Sequence, residues 1–486
     1  MATVDLAVAA APDVLRPVGP DARPILEPSA QAAFVAKVRA ALPDLRLLDD
    51  PVDRETYRRD ETEYLETGLP LAVALPRSTA ETAALVRLCA ADGVPIVPRG
   101  AGTGLSGGAA GIEGALTIAF TGMDAIEEID RENLVAVVEP GIINARFKAA
   151  VADVGLFYPP DPASYEICSI GGNLGTNAGG LCCVKYGQTR DSVLGLEVVF
   201  ADGSVVRMGG KMVKDVAGYA LTQLMVGSQG TLGLVTKAWL RLRPAPPPRL
   251  TLVAFFATLD AAGVAVAGMT AAGLDPVTLE LLDGPSIEAV DDFMSLGLDR
   301  TAAAMLLVES DRPASEAAAE LDAAAAVCRD AGATDVVRAA DAQEADWLRQ
   351  GRRLALRALE RLGTVRMEDV GVPRSRVPEL LRAITAIADR EGIRCATLGH
   401  VGDGNLHPNF IFDRDDPTAD EKTERARDAM YRAAIELGGT MTAEHGVGAS
   451  RRPWLELQRG RDGVRVMRSI KAALDPQGLL NPGRVL

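Results

Sequence analysis

The chain of 486 residues holds only three histidines, His400, His407 and His445. They stand in two short strings, His400-Val401-Gly402-Asp403-Gly404-Asn405-Leu406-His407 and Glu444-His445-Gly446-Val447-Gly448. Asp403-Gly404 is a dipeptide suited to a type I′ turn. A hairpin folded about it sets 400 directly opposite 407, with Cβ atoms about 4.5–5.5 Å apart on one face. Two imidazoles so placed can share one divalent metal; the alternative is a hydrogen-bonded pair of surface histidines. Glu444 offers the third ligand, and His445 a base beside it. Two histidines and one carboxylate leave coordination positions open for a substrate. Zn²⁺ is the expected ion, with Mn²⁺ and Fe²⁺ open by ligand type. A metal there can bind a hydroxyl oxygen and lower its pKa, while His445 takes the proton.

Three glycine-rich strings precede this cluster: Pro98-Arg99-Gly100-Ala101-Gly102-Thr103-Gly104-Leu105-Ser106-Gly107-Gly108, Ser169–Gly180, and Gly227-Ser228-Gln229-Gly230-Thr231-Leu232-Gly233-Leu234-Val235. The first follows a strand and invites a Rossmann reading, which requires a helix opening on the loop. Here glycines continue at 108, 111 and 114, and the chain returns directly to the apolar run Leu116–Phe120. Successive backbone N–H groups can still form an anion nest for a pyrophosphate. Any one string is explained by a tight turn. Three in one region, rich in small hydroxyl and amide side chains, point to a long phosphate-bearing cofactor lying across them.

With Pro159-Pro160-Asp161-Pro162 and Lys211–Leu224, these strings resemble the FAD-binding domain of the vanillyl-alcohol oxidase/PCMH flavoprotein superfamily. The resemblance implies that Pro98, Arg99, Gly100, Ala101, Gly102, Thr103, Gly104, Ser106 and Gly107 lie along the pyrophosphate. It places Ser169, Gly172, Asn173, Thr176 and Asn177 on the flavin side, and Pro160, Asp161 and Gly180 among the other cofactor contacts. Gly230, Thr231, Gly233 and Val235 then lie toward the adenosine, and Asn481 in the closing Asn481-Pro482-Gly483 returns to the cofactor. Where some relatives carry a flavin-linking His, this chain has Thr103, so FAD is expected to be non-covalent.

Gly399–Asn409 and Glu444–Gly448 resemble the C-terminal domain of the D-lactate dehydrogenase, glycolate oxidase catalytic subunit and D-2-hydroxyglutarate dehydrogenase group. That resemblance implies His400, His407 and Glu444 as ligands, His445 as base and Asn409 as a polar substrate contact. It also implies an upstream arginine clamping the substrate carboxylate, best matched by Arg352, with Arg349 as the alternative. Met367 stands where relatives handling a second carboxylate often carry Lys, which points to a monocarboxylate or to a clamp residue elsewhere. The implied reaction is oxidation of a D-2-hydroxy acid, with hydride passing from Cα to flavin N5. The competing readings are a same-fold flavoenzyme for another alcohol, a flavin-free metal hydrolase, and a subunit of a glycolate-oxidising complex.

The elements that must carry these groups are short. Leu71–Pro76 and Val94–Pro98 read as strands flanking a helix that opens at Ser78-Thr79-Ala80-Glu81, a capping box. Leu116–Phe120, Val135–Val138 and Leu196–Phe200 read as further strands. Pro244–Pro248 breaks any ladder. Beyond it, Leu250–Phe256, Thr278–Leu282 and Met305–Glu309 read as strands, and 261–274 and 314–331 as helices. The expected fold is α+β: a tail over 1–27, an FAD-binding domain of two subdomains over 28–245, an antiparallel cap domain over 246–455, and a returning segment over 456–486.

A net charge of −15 argues against nucleic acid and anionic membrane as partners. No stretch is long and apolar enough to span a bilayer, and no CxxC occurs among the six cysteines. A soluble, reduced, cytoplasmic protein is therefore expected. Its electron acceptor and any homodimer stay open.

Overall fold

The computed structural model describes residues 26–62 and 64–486, so most of the expected tail lies outside the described residues. Two sheets form the N-terminal half. In the first, strands Arg46–Leu48, Ala72–Leu75, Leu116–Ala119 and Ile96–Arg99 lie side by side in that order. The last three are parallel and carry near-continuous apolar runs, as strands covered on both faces require. The helix between two of them, Thr79–Asp92, is capped by Ser78, whose side chain accepts the Glu81 N–H. Glu81 reaches back to the Arg77 N–H rather than to that of Ser78.

The second sheet is antiparallel, in the order Ile126–Asp130, Val135–Val138, Leu234–Arg241, Val193–Val199, Val205–Gly209. Phe147 and Val151 of helix Asn144–Ala152 pack on it. The glycine strings are the links around these sheets. No helix follows Arg99 before Leu116, whereas the second string coils into the short helix Ile170–Thr176.

Pro244 ends a two-residue ladder with Leu156–Phe157, and a new sheet starts at Leu250. Seven strands follow one another in it: Ala333–Arg338, Leu250–Phe256, Ala304–Ser310, Thr278–Asp283, Arg394–Gly399, Asn405–Phe412 and Thr364–Met367, with Val370–Gly371 pairing beside the sixth. One face is covered by helices Leu259–Ala271, Ala314–Asp330 and Val377–Glu391. The other is covered by Gly284–Met294 and Ala342–Glu360. After helix Leu455–Leu474 the chain rejoins the first sheet. Ile96 donates its N–H to Leu479 O and accepts the Asn481 N–H, both at 2.8 Å, and Leu480 is fully buried there. Among the described residues no helix is long and apolar enough to cross a membrane.

Candidate active site

The hairpin of His400 and His407 forms, but not about Asp403-Gly404. Leu398 pairs with His407, His400 O accepts the Asn405 N–H at 3.1 Å, and the turn occupies Val401–Gly404. Its centre is Gly402-Asp403, one residue earlier than the dipeptide suggests. Tertiary contacts set this place. Gly402 N–H donates to Leu279 O and Gly404 O accepts the Val372 N–H. A Cβ on Gly402 would lie 2.7 Å from Val184, and one on Gly404 2.0 Å from Val372 O. Moving the centre by one residue moves each cross-strand partner by two, so every side chain keeps its face. His400 and His407 are thus diagonal rather than directly opposed, with ring centroids 5.3 Å apart.

Their Nε2 atoms converge on one oxygen, Glu444 Oε1, at 3.2 Å from His400 and 3.1 Å from His407. Each ring has a carboxylate behind it. His400 Nδ1 lies 2.7 Å from Glu280, and His407 Nδ1 3.8 Å from Asp369. Burial alone would depress the His400 pKa; Glu280 and Glu444 outweigh it and hold the value well above that of a free imidazole. The pocket therefore stabilises positive charge, as a divalent-metal site must. The donor set and its spacing, three ligand atoms within 4.8 Å of one another, fit such an ion.

The Glu444 loop hangs on Asp369. One of its carboxylate oxygens accepts the N–H groups of Ala443, Glu444 and His445 at 2.8, 3.0 and 2.9 Å, and the Thr442 hydroxyl at 2.6 Å. Burial opposes its charge, but His445, His407 and Arg451 hold the Asp369 carboxyl well below the usual range. His445 stacks on His407, with centroids 4.9 Å apart and planes 7° from parallel. Its Nδ1 finds no hydrogen-bond partner among the described residues. Burial, against the pull of Asp369, lowers its pKa to about 4, so the ring is neutral and able to accept a proton at neutral pH.

His400, His407, Glu444 and His445 line a cavity of about 1200 Å³, above the usual range for drug-sized ligands. Pro98–Ser106, Gly172, Asn173, Thr176, Gly230, Gly233 and Val235 line the same cavity. Two of the lining glycines test the fit. Gly104 and Gly175 have ordinary φ, and an added Cβ would come no nearer the surrounding protein than 3.7 and 4.0 Å. The protein's own packing does not require glycine there; a ligand lying against the loops does.

Other expected cofactor residues support the loops without lining the cavity. Gly107 accepts φ +75 and donates its N–H to Thr62. Ser169 caps the helix that follows, and Asn177 ends that helix in the left-handed region while bonding Gln188 and Arg190. Gly180 lies against Asp161 O, and Thr231 bonds Ser228 O. Asn481 donates to Gly108 O and Gln229 O. Pro160 also stays off the cavity, its carbonyl accepting from Lys148. Asp161 turns inward to Cys182 and Arg353, and the lining begins at Pro162.

Of the expected substrate contacts, Arg352 lines the cavity, buried with Nε 2.6 Å from Glu280. Its Nη2 finds no hydrogen-bond partner among the described residues. Arg349 does not reach the cavity; it pairs with Glu309 at 2.6 Å. Asn409 is also withdrawn. It is fully buried, and its amide nitrogen donates to Ala396 O and His407 O. Residues 407 and 409 share a sheet face, but the shorter, backbone-tied Asn does not project into the space. Glu280 and Asp369 escaped sequence reasoning. The available signal was a carboxylate inside an apolar strand, Thr278-Leu279-Glu280-Leu281-Leu282, which is costly unless paired.

Comparison with known proteins bears on both halves. The family described as FAD linked oxidases, C-terminal domain, matches residues 245–485, and the FAD binding domain family matches 70–209. Glycolate oxidase subunit GlcD of Bacillus subtilis (strain 168) is 45% identical over 438 residues, 90% of this chain and 93% of that protein. D-lactate dehydrogenase of Anaerostipes hadrus is 33% identical over 465 residues, 93% and 97% of the two chains. Among solved structures, p-cresol methylhydroxylase with substrate bound superposes with TM-score 0.80 at 17% identity, over 95% of this chain and 97% of that one. 4-Ethylphenol oxidase from Gulosibacter chungangensis does so with TM-score 0.76 at 20% identity, over 96% and 98%. The α+β architecture with a PCMH-type FAD-binding fold is therefore shown.

Proposed function

The chain belongs to the FAD-linked oxidases, with glycolate oxidase subunit GlcD and D-lactate dehydrogenases as relatives, and from that premise we propose that this FAD-dependent oxidoreductase oxidises a D-2-hydroxy acid to the 2-oxo acid. One observation carries the reading. Two imidazole Nε2 atoms and Glu444 meet in the cavity that the glycine loops also line, with His445 Nε2 3.9 Å from the shared oxygen. Bound FAD supplies a two-electron acceptor, and a divalent ion at His400, His407 and Glu444 supplies Lewis acidity toward the hydroxyl and carboxylate.

His445, neutral and facing the cavity, takes the hydroxyl proton. Arg352 offers its free Nη2 to the substrate carboxylate while Glu280 fixes its head group. Asp369 holds the loop that carries both Glu444 and His445. Val365, Met367 and Leu398 line the cavity, with Leu398 directly opposite His407. This apolar neighbourhood favours a short monocarboxylate such as D-lactate or glycolate over a dicarboxylate. Thr103 stands in the first loop, and the chain's three histidines are taken up by the proposed metal and base, which leaves none to link the flavin and favours FAD held non-covalently. The second reading, a flavin subunit of a glycolate-oxidising complex, draws on the 45% identical relative being such a subunit.

The test is anaerobic bleaching of the protein's flavin absorbance by D- and L-2-hydroxy acids, before and after chelation. D-acids should bleach it, and more slowly once the metal is removed. Colourless protein that cannot be reconstituted with FAD would contradict the flavin; unchanged bleaching after proven metal loss would contradict the metal.

A further inference from the structure

The loop bearing Glu444 and His445 is anchored at two ends by different halves of the molecule. Asp369, from the cap half, holds residues 443–445. The other end is held by the flavin half. Gly448 donates its N–H to the Gln229 side-chain oxygen at 2.8 Å, and Ser106 O accepts the N–H groups of Ala449 and Ser450 at 2.9 and 3.1 Å. Fit is close here: a Cβ on Gly446 would lie 2.8 Å from Gln229 Nε2, and one on Gly448 2.0 Å from Ser106 O.

Gln229 is where these contacts meet. Its side-chain nitrogen donates to Ser106 Oγ of the first glycine string at 3.1 Å. Its backbone N–H donates to Gly175 O of the second at 2.8 Å. Its carbonyl accepts the Asn481 amide of the C-terminal segment at 2.7 Å. It is buried and holds φ +50, a left-handed conformation that a non-glycine residue keeps only when its surroundings over-determine it. Gln229, Ser106 and Gly175 all line the cavity, so a cofactor against the glycine strings touches the residues that hold the far end of the catalytic loop.

We propose that Gln229 is a positioning residue that transmits cofactor occupancy to the Glu444–His445 loop, so that FAD and the divalent ion bind with positive cooperativity. The inference rests on the FAD-and-metal reading above. Coupling between two sites is reciprocal; metal loading must therefore tighten FAD by the factor by which FAD tightens the metal. It travels along contacts the structure shows: glycine strings to Ser106 and Gln229, Gln229 to Gly448, and the loop to Glu444.

The experiment uses flavin-loaded protein as purified, with metal content measured independently, and follows FAD release by the fluorescence of free flavin. In the wild type, stripping the metal with EDTA should weaken FAD binding by about 5–150-fold, the usual span of such couplings. In Gln229→Leu, which keeps the bulk but removes both side-chain hydrogen bonds, the ratio should fall toward one. Gln229→Glu, which still accepts from Gly448 and can accept from the Ser106 hydroxyl, should restore most of it. FAD affinity independent of metal in the wild type overturns the proposal without recourse to any variant. So does a Gln229→Leu ratio equal to that of the wild type. Protein without FAD or without metal overturns the underlying reading instead, and the absorbance spectrum and metal analysis show which one failed.

Discussion

At the scale of single residues, burial pushes His445 and His400 the same way, and the carboxylates facing each ring decide the outcome. Both imidazoles are sequestered in the same pocket. His400 faces Glu280 and Glu444 and is driven toward the charged form; His445 is left to desolvation and stays neutral. A general base must be neutral to act, so the sign for activity is direct. With a pKa of about 4, His445 is competent throughout the neutral range and fails only as pH falls through that value. The acid limb of kcat/KM should accordingly lie near pH 4 rather than near the ordinary imidazole value of about 6.5. His445→Asn should lower kcat by about 10²–10⁴-fold, the usual worth of a positioned base, with the flavin spectrum retained; stopped-flow flavin reduction measures it. Arg352 is tied to stability as well as to binding. Arg352→Met takes from buried Glu280 one of its two partners, leaving only His400, and should destabilise the protein by about 1–3 kcal/mol, besides raising KM for the hydroxy acid. Denaturant melts beside steady-state kinetics separate the two effects.

At the scale of elements, the hairpin over 394–412 decides whether the metal ligands meet. Its turn is held from outside by Leu279 and Val372, so position 404 carries two demands, a left-handed φ of +85 and no Cβ against Val372 O. If His400, His407 and Glu444 hold a divalent ion as proposed, Gly404→Ala should lose it, measured by elemental analysis, and lower the melting temperature. Gly392→Ala is the control for backbone strain alone, because Gly392 has φ +65 with nothing within 4 Å of an added Cβ. That strain costs about 1–2 kcal/mol and should leave the proposed ion in place. Equal loss of that ion in both variants would mean that the Val372 contact does not set the turn. The helix of 342–360 is the second decisive element. Its heptad-like pattern exposes Trp347 while burying Leu348, Gly351, Arg352, Ala355 and Leu359, which turns Arg352 toward the site and leaves Arg349 to Glu309.

At the scale of the whole molecule, the cofactor side and the acid–base side are brought together by long-range closure. The ends of the chain's path meet at Ile96, where Leu479 and Asn481 extend a strand of the first sheet. Removing residues 479–486 exposes the Ile96 edge and strips Asn481 from Gly108 O and Gln229 O. The truncated protein should lose FAD on gel filtration, seen as a drop in the ratio of flavin to protein absorbance, while its far-ultraviolet circular dichroism stays near that of the full chain. Retention of full flavin content would show that the returning segment does not support the loops. This closure also explains why a linear account of domains is incomplete: residues near the C-terminus share a core with residues near 96.

The sequence by itself determined the chemistry available to this protein. Scarce histidines in two strings, three glycine-rich loops and a proline break can be recognised without coordinates, because local backbone demands and ligand types are local properties. Several strands, such as Val135–Val138 and Leu250–Phe256, were legible for the same reason. Only the tertiary structure decided which groups converge. The Asp403-Gly404 dipeptide suits a two-residue turn, yet contacts with strands distant in sequence moved the turn by one residue. Asn409 and Asp161 lie in motif-like strings, but the Asn409 amide nitrogen and the Asp161 carboxylate bond to the fold rather than to the cavity. Glu280 and Asp369 are brought to the histidines by sheet pairing and loop docking across 120 and 38 residues, separations at which no local pattern survives. Residue type is written in the chain; the burial and partners that decide its role come from packing.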